Sequence, residues 1–361
     1  MLTLTALLCQ SLLASQLRQW PAPTRPTMCA SESIVDAEEH KDGVVAIRAP
    51  LRWIGPYPAV ALCFPELATA AQMGRGEKGV TLDFVLDTAA NTNTINAEIA
   101  LQLNLPRVGV SAGGVGAGGA IGGGATYMLG DCELGDLPKD GRFKLMSGLT
   151  ASALPVASPA AAGLLSIYFL TAFPGGFEFR WGPEATDEAS LTLFGDTLGA
   201  EHVVAGLSAS EVVQLPESGL PTVTIRINGV SVPALLDTGS PITVLNPAAA
   251  KATGLSPTAA GGGGGLNPFA KLTAGLFPRR ETLQIAGASG QVVTLERAAA
   301  CELFIGDSDF GQGTCRPYIG ELPGLAALNG LGAAAGPAAV LGTDVLRQRP
   351  RLVYQQMKIY V

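Results

Sequence analysis

Val80-Thr-Leu-Asp-Phe-Val-Leu-Asp-Thr-Ala-Ala-Asn-Thr-Asn-Thr-Ile-Asn96 and Val230-Ser-Val-Pro-Ala-Leu-Leu-Asp-Thr-Gly-Ser-Pro-Ile-Thr-Val-Leu-Asn246 are one pattern written twice. Each opens on alternating apolar residues, the period of a half-buried strand. Each then passes through Leu-Asp-Thr and ends on an apolar residue followed by Asn. The two aspartates, Asp87 and Asp237, stand 150 positions apart, a spacing that suits one per lobe.

The correspondence continues downstream in the same order. Helix-like stretches follow at 97–105 and 247–255, then glycine-rich tracts at 109–124 and 261–265. Cys132-Glu-Leu-Gly-Asp136 parallels Cys301-Glu-Leu-Phe-Ile-Gly-Asp307, and the two cysteines read as small buried apolar residues. Gly163-Leu-Leu-Ser-Ile-Tyr-Phe-Leu170 parallels Ala339-Val-Leu-Gly-Thr-Asp-Val-Leu346, in which Asp344 reads as a loop residue and not a third acid. Further strands are expected at 44–47, 59–63, 177–181, 191–194, 222–227, 292–295 and 353–361. Asn228-Gly229 between apolar runs is a type I′ hairpin turn. The expected fold is all-β, with two homologous β-barrel-like lobes and a cleft between them. The lobes span 40–200 and 215–361, with their boundary near 199–219 and a surface insertion at 266–290.

Composition narrows the function. Of 361 residues, 47% are hydrophobic and 15% charged, with 46 Gly and 25 Pro, which suits strands and turns. The formal net charge is −7 and no basic cluster is dense enough to track a phosphate backbone, so nucleic acid is not an expected partner. The six cysteines are scattered with no C-x-x-C pair, and the two histidines, His40 and His202, have no motif around them. A zinc hydrolase or a Ser-His triad would need more, so no metal and no cofactor are expected. Residues 1–31 lack Asp and Glu and read as a targeting leader for the secretory pathway or a plastid, or else as a disordered natural N-terminus. No run approaches the roughly 18 apolar residues that span a bilayer, so stable membrane insertion is not expected.

Two carboxylates sharing one proton can hydrolyse a peptide bond without metal or covalent intermediate. One takes a proton from water while the other, protonated, polarises the carbonyl. Like charges held together cannot both ionise, and the handling of that proton belongs to the pair. A strand end gives each Asp a rigid frame. The following Thr can reach the backbone of the other lobe's turn, and a glycine in third place lets the turns approach closely and tolerates positive φ.

On these residues the chain resembles the aspartic peptidases, the superfamily of the pepsins and the retroviral-type enzymes. The likeness covers about residues 44–361 and is nearest to the plant, algal or retroviral-type members. Leu235-Leu-Asp-Thr-Gly-Ser240 matches the family's active-site motif, and Val340-Leu-Gly342 its apolar-apolar-Gly element. The resemblance implies Asp87 and Asp237 as the catalytic pair, supported by Thr88, Thr238, Gly239 and Ser240. Ser240 either contacts the catalytic water or closes a turn. The tract at 109–124 is either a mobile flap or a flexible linker. An endopeptidase acting on extended protein or peptide substrates follows, functional as a monomer because one chain supplies both aspartates. Two departures fall in the first half: Ala89 where the motif has Gly, and Ser166 where the second element has Gly342. They keep open an alternative, a catalytically inactive peptide-binding module.

Overall fold

The computed structural model describes residues 3–4, 27–28, 46–76, 78–134, 144–154, 160–182, 189–195, 203–258, 281–286, 291–328, 331 and 336–361. Strands dominate, and the helices are short. In the first half, Tyr57–Phe64 is buried along its whole length, as its unbroken apolar run requires. It pairs antiparallel with Val80–Asp87, from Ala59 opposite Val85 to Phe64 opposite Val80. In the second half, Pro221–Ile227 and Val230–Leu236 form the expected hairpin. Its turn residues Asn228 and Gly229 lie at φ 48 and 82, both left-handed as a type I′ turn demands.

The Asn that closes each repeated motif caps a helix. Asn96 accepts from Glu98 N at 2.8 Å ahead of Ala97–Gln102, and Asn246 accepts from Ala249 N at 2.8 Å ahead of Pro247–Ala252. Each cap satisfies an amide that the first helical turn would leave without a partner.

A run of strands drawn from distant parts of the chain joins the halves. Ala46–Pro50 pairs with Ser190–Phe194, which pairs with Gly176–Arg180, which pairs with Arg351–Gln355. The series continues through Lys358–Tyr360 to Ala209–Gln214. Phe177 stacks on Tyr354 across it, centroids 5.1 Å apart. Glu178, 2% exposed, is held by Arg180 at 3.1 Å and Arg351 at 3.4 Å. A buried carboxylate with two guanidinium partners escapes most of the penalty of an isolated charge.

Several expectations need correction. Residues 353–361 are two strands and not one, because Gln356 and Met357 adopt φ 47 and 59 and turn the chain back. The expected insertion at 266–290 contains the strand Thr282–Ala286, paired with Val292–Arg297, and apart from Glu281 otherwise lies outside the described residues. Asp344 is helical, within Thr343–Leu346, and not in a loop. The tract at 261–265 and most of residues 1–31 lie outside the described residues. Two dipeptides of that N-terminal stretch are described: Thr3–Leu4 pairs in parallel with Gly114 and Val115, and Thr27–Met28 pairs antiparallel with Thr81 and Val80. Among the described residues no helix is long and apolar enough to cross a membrane.

Candidate active site

Asp87 ends the strand Val80–Asp87, and Asp237 directly follows Val230–Leu236. Each strand has a parallel neighbour. Gly163–Ser166 runs beside residues 84–87, with Ser166 opposite Asp87. Ala339–Leu341 runs beside residues 234–236, and Asp237 N donates to Leu341 O at 3.1 Å. Thr94–Ile95 and Val244–Leu245 then return antiparallel to these neighbours. Both aspartates therefore sit at the ends of central, buried strands, where the backbone has little freedom.

Thr88 and Thr238 lock the two turns together. Thr88 Oγ1 donates to Leu236 O at 2.7 Å and accepts from Thr238 N at 3.0 Å. Thr238 Oγ1 donates to Leu86 O at 2.8 Å and accepts from Thr88 N at 3.1 Å. All four bonds cross between the halves, and both side chains are fully buried. Thr88→Val keeps the shape but leaves the Leu236 carbonyl and the Thr238 amide without partners. The expected loss is on the order of 2–4 kcal/mol, at about 1–3 for each orphaned group. Thr88→Ser, which keeps the hydroxyl, should recover most of it. Chemical denaturation of the three proteins checks this, and a valine variant as stable as the parent would refute it.

The carboxyl groups are fully buried. Asp87 Oδ1 accepts from Ala89 N at 2.9 Å, whereas Asp87 Oδ2 and both oxygens of Asp237 find no hydrogen-bond partner among the described residues. Burial pushes Asp87 up to about 7, opposed by the amides of Ala89 and Ala90. Asp237 is raised well above the ordinary carboxylate range, first by burial and then by the charge of Asp87. The nearby amides of Gly239 and Ser240 oppose that rise without reaching hydrogen-bond geometry, and Ser240 N is committed to the Asp237 carbonyl at 3.4 Å. Three buried carboxylate oxygens lacking a donor can accept a shared proton and a water.

Of the two reasons expected for a glycine in third place, close approach applies and positive φ does not. Neither Gly239 nor Ala89 is at positive φ. A Cβ on Gly239 would lie 2.5 Å from Asp87 Cγ and 2.7 and 2.8 Å from its oxygens, so glycine is needed there for close approach. Ala89 is fully buried in the apolar core without backbone strain. Ser240 closes a turn, its hydroxyl donating to Ile242 O at 2.7 Å. Ser166 is also accommodated. Its amide and hydroxyl both donate to Asn93 Oδ1, at 2.9 and 3.0 Å. In the other half the amide of Gly342 donates to Thr243 Oγ1 at 3.1 Å, and a Cβ there would meet Ile242 O at 2.4 Å. Asn93, part of the repeated stretch at 80–96 but not singled out there, is thus what makes a serine workable at 166. Thr243 also donates to Asp344 Oδ1 at 2.6 Å, so Asp344 braces the turn.

Part of the glycine tract at 109–124 is a hairpin, Gly114–Gly116 against Gly119–Ile121. Its tip reaches the other half, where Ala117 O accepts from Gly324 N at 3.2 Å in the helix Pro323–Ala326. A Cβ on Gly324 would lie 1.9 Å from Gly116 O, so glycine alone permits this contact.

Residues 223–268 match a family model described as aspartyl protease. No curated protein matches the sequence. Among solved structures, the aspartic proteinase from Irpex lacteus is 14% identical, with 88% of this chain and 96% of that chain covered and a TM-score of 0.43. Basic 7S globulin from soybean is 11% identical, with 88% and 94% covered and a TM-score of 0.42. A retropepsin-like aspartic protease from Rickettsia conorii is 17% identical, with 45% and 96% covered and a TM-score of 0.23.

Proposed function

We propose, for a chain that has the acid-protease fold and whose residues 223–268 match the aspartyl protease family, that it is an aspartic endopeptidase. The observation that carries this reading is the buried pair, Asp87 and Asp237, with three carboxylate oxygens left unpartnered at a junction tied by Thr88 and Thr238. In this mechanism the pair keeps one proton and holds a water. The Ala89 amide favours the charge on Asp87, which takes the water's proton, while Asp237 carries the proton that polarises the scissile carbonyl. Collapse of the tetrahedral intermediate returns a proton to the leaving amine. An extended peptide lies in the cleft under the hairpin at 114–121, whose tip must leave Gly324 to admit it. One chain supplies both acids, so a monomer suffices. We read the lobes as residues 40–200 and 215–361.

The test is cleavage of an unfolded casein-like substrate across acid and neutral pH, with and without a pepstatin-type inhibitor. The active form is the singly protonated pair, so kcat/KM falls on the acid side by double protonation and on the alkaline side by loss of the shared proton. With Asp87, the base, raised to about 7, the acid limb is expected near neutral pH, and the alkaline limb, where Asp237 gives up the shared proton, above it. A profile with one limb only, insensitive to the inhibitor, would discard the mechanism. Ala89, where the second half has Gly239, favours one other reading, a peptide-binding module without turnover. That reading requires an extended peptide to bind and remain intact.

A further inference from the structure

Cys301 and Cys315 are direct partners across the antiparallel strands Cys301–Ile305 and Ser308–Cys315. Residues so opposed have Cα atoms roughly 4.5–5.5 Å apart. A disulfide spans roughly 4.4–6.8 Å. Both are free thiols, 3% and 4% exposed. Hydrogen bonding between the two side chains lowers the pKa of Cys301, while the same interaction and burial raise that of Cys315. The ladder is irregular between Cys301 and Leu303, and Gly311 and Gly313 at φ 82 and 77 form slack in the facing strand. In the first half Cys132, the counterpart of Cys301, lies opposite Met146, and burial pushes its thiol up to about 12.

We propose that Cys301 and Cys315 form a redox-responsive dithiol, closed into an intramolecular disulfide by a low-molecular-weight disulfide of the glutathione type. The Cys301 thiolate attacks one sulfur of the reagent, forms a mixed disulfide and expels one thiolate. Cys315 then gives up its proton, attacks the Cys301 sulfur and expels the second thiolate. Two cysteine thiols and one reagent disulfide become one protein disulfide and two reagent thiols. The bond would pin the strand that runs on to Tyr318, whose amide donates to Thr243 O at 2.9 Å in the turn beside Asp237. The chemistry at 301 and 315 stands apart from the peptidase reading.

The experiment treats the full folded chain with glutathione disulfide, then denatures, alkylates and digests it with trypsin for mass spectrometry. The peptide 298–347 follows Arg297, ends at Arg347, and contains no other cysteine. The expected product is this peptide two hydrogens lighter and free of alkyl groups, with a raised unfolding midpoint that dithiothreitol reverses. Cys132→Ser should leave the product unchanged, whereas Cys301→Ser should abolish it. Recovery of both cysteines alkylated, as two separate glutathione adducts, or cross-linked only after denaturation would overturn the proposal. So would loss of the product in Cys132→Ser.

Discussion

Asp87→Asn is expected to abolish peptide cleavage while making the protein more stable at neutral pH. The loss of rate should be at least about 10³-fold, because an amide can neither take the water's proton nor share one with Asp237. The gain in stability follows from the raised pKa. An unfolded aspartate ionises near 3.8, whereas the buried Asp87 holds its proton to about 7. Between those values the folded state binds more protons than the unfolded state, so this contribution is complete below pH 4 and fades as pH rises through 7. Asparagine removes the dependence, and at pH 7 the variant should gain on the order of 1–3 kcal/mol. Denaturation curves at pH 4 and pH 7, set beside the cleavage assay, check both halves. A variant that retained a tenth of the parent rate would end the role of Asp87. One with the parent's stability slope would end the account of its burial.

Gly239→Ala should be far more damaging than Ala89→Gly, although the two positions occupy the same place in their motifs. The new methyl would lie 2.5 Å from Asp87 Cγ, and Asp87 can retreat only by breaking its bond from Ala89 N. Displacing a reacting group by about an ångström costs on the order of 10²-fold in rate, and overpacking costs about 1–3 kcal/mol in stability. Ala89→Gly relieves no strain, since residue 89 is not at positive φ. It should cost roughly 0.5–1 kcal/mol through backbone freedom and leave kcat nearly unchanged. Steady-state kinetics on both variants decide the matter. Equal losses would mean that the close approach is not confined to one side.

The aspartates, their threonines and the asparagines that close each motif were legible in the sequence because one short pattern recurs 150 positions on. The hairpin over Asn228-Gly229 was legible from its own two turn residues. What stayed hidden depends on distant neighbours. Ser166 looked like a loss because its compensation, Asn93, lies 73 positions earlier, at the place where the second copy of the motif has Thr243. A glycine at 239 serves either close approach or positive φ as far as sequence shows, and only the position of Asp87 in the opposite lobe decides for space. The strand Ala209–Gln214 went unread because its apolar and polar residues do not alternate, and only pairing with Lys358–Tyr360 and Pro221–Ile227 fixes it.

The strands that join the halves also determine how the molecule responds to being cut. Gly176–Arg180 and Arg351–Gln355 are neighbours in one sheet, while the chain between them makes a detour of some 170 residues through the second lobe. A nick between Phe194 and Val203 would break the covalent path and leave that ladder, the Phe177–Tyr354 stack and the four threonine bonds in place. The two fragments would remain one particle, so on a denaturing gel the protein would divide where on a sizing column it would not.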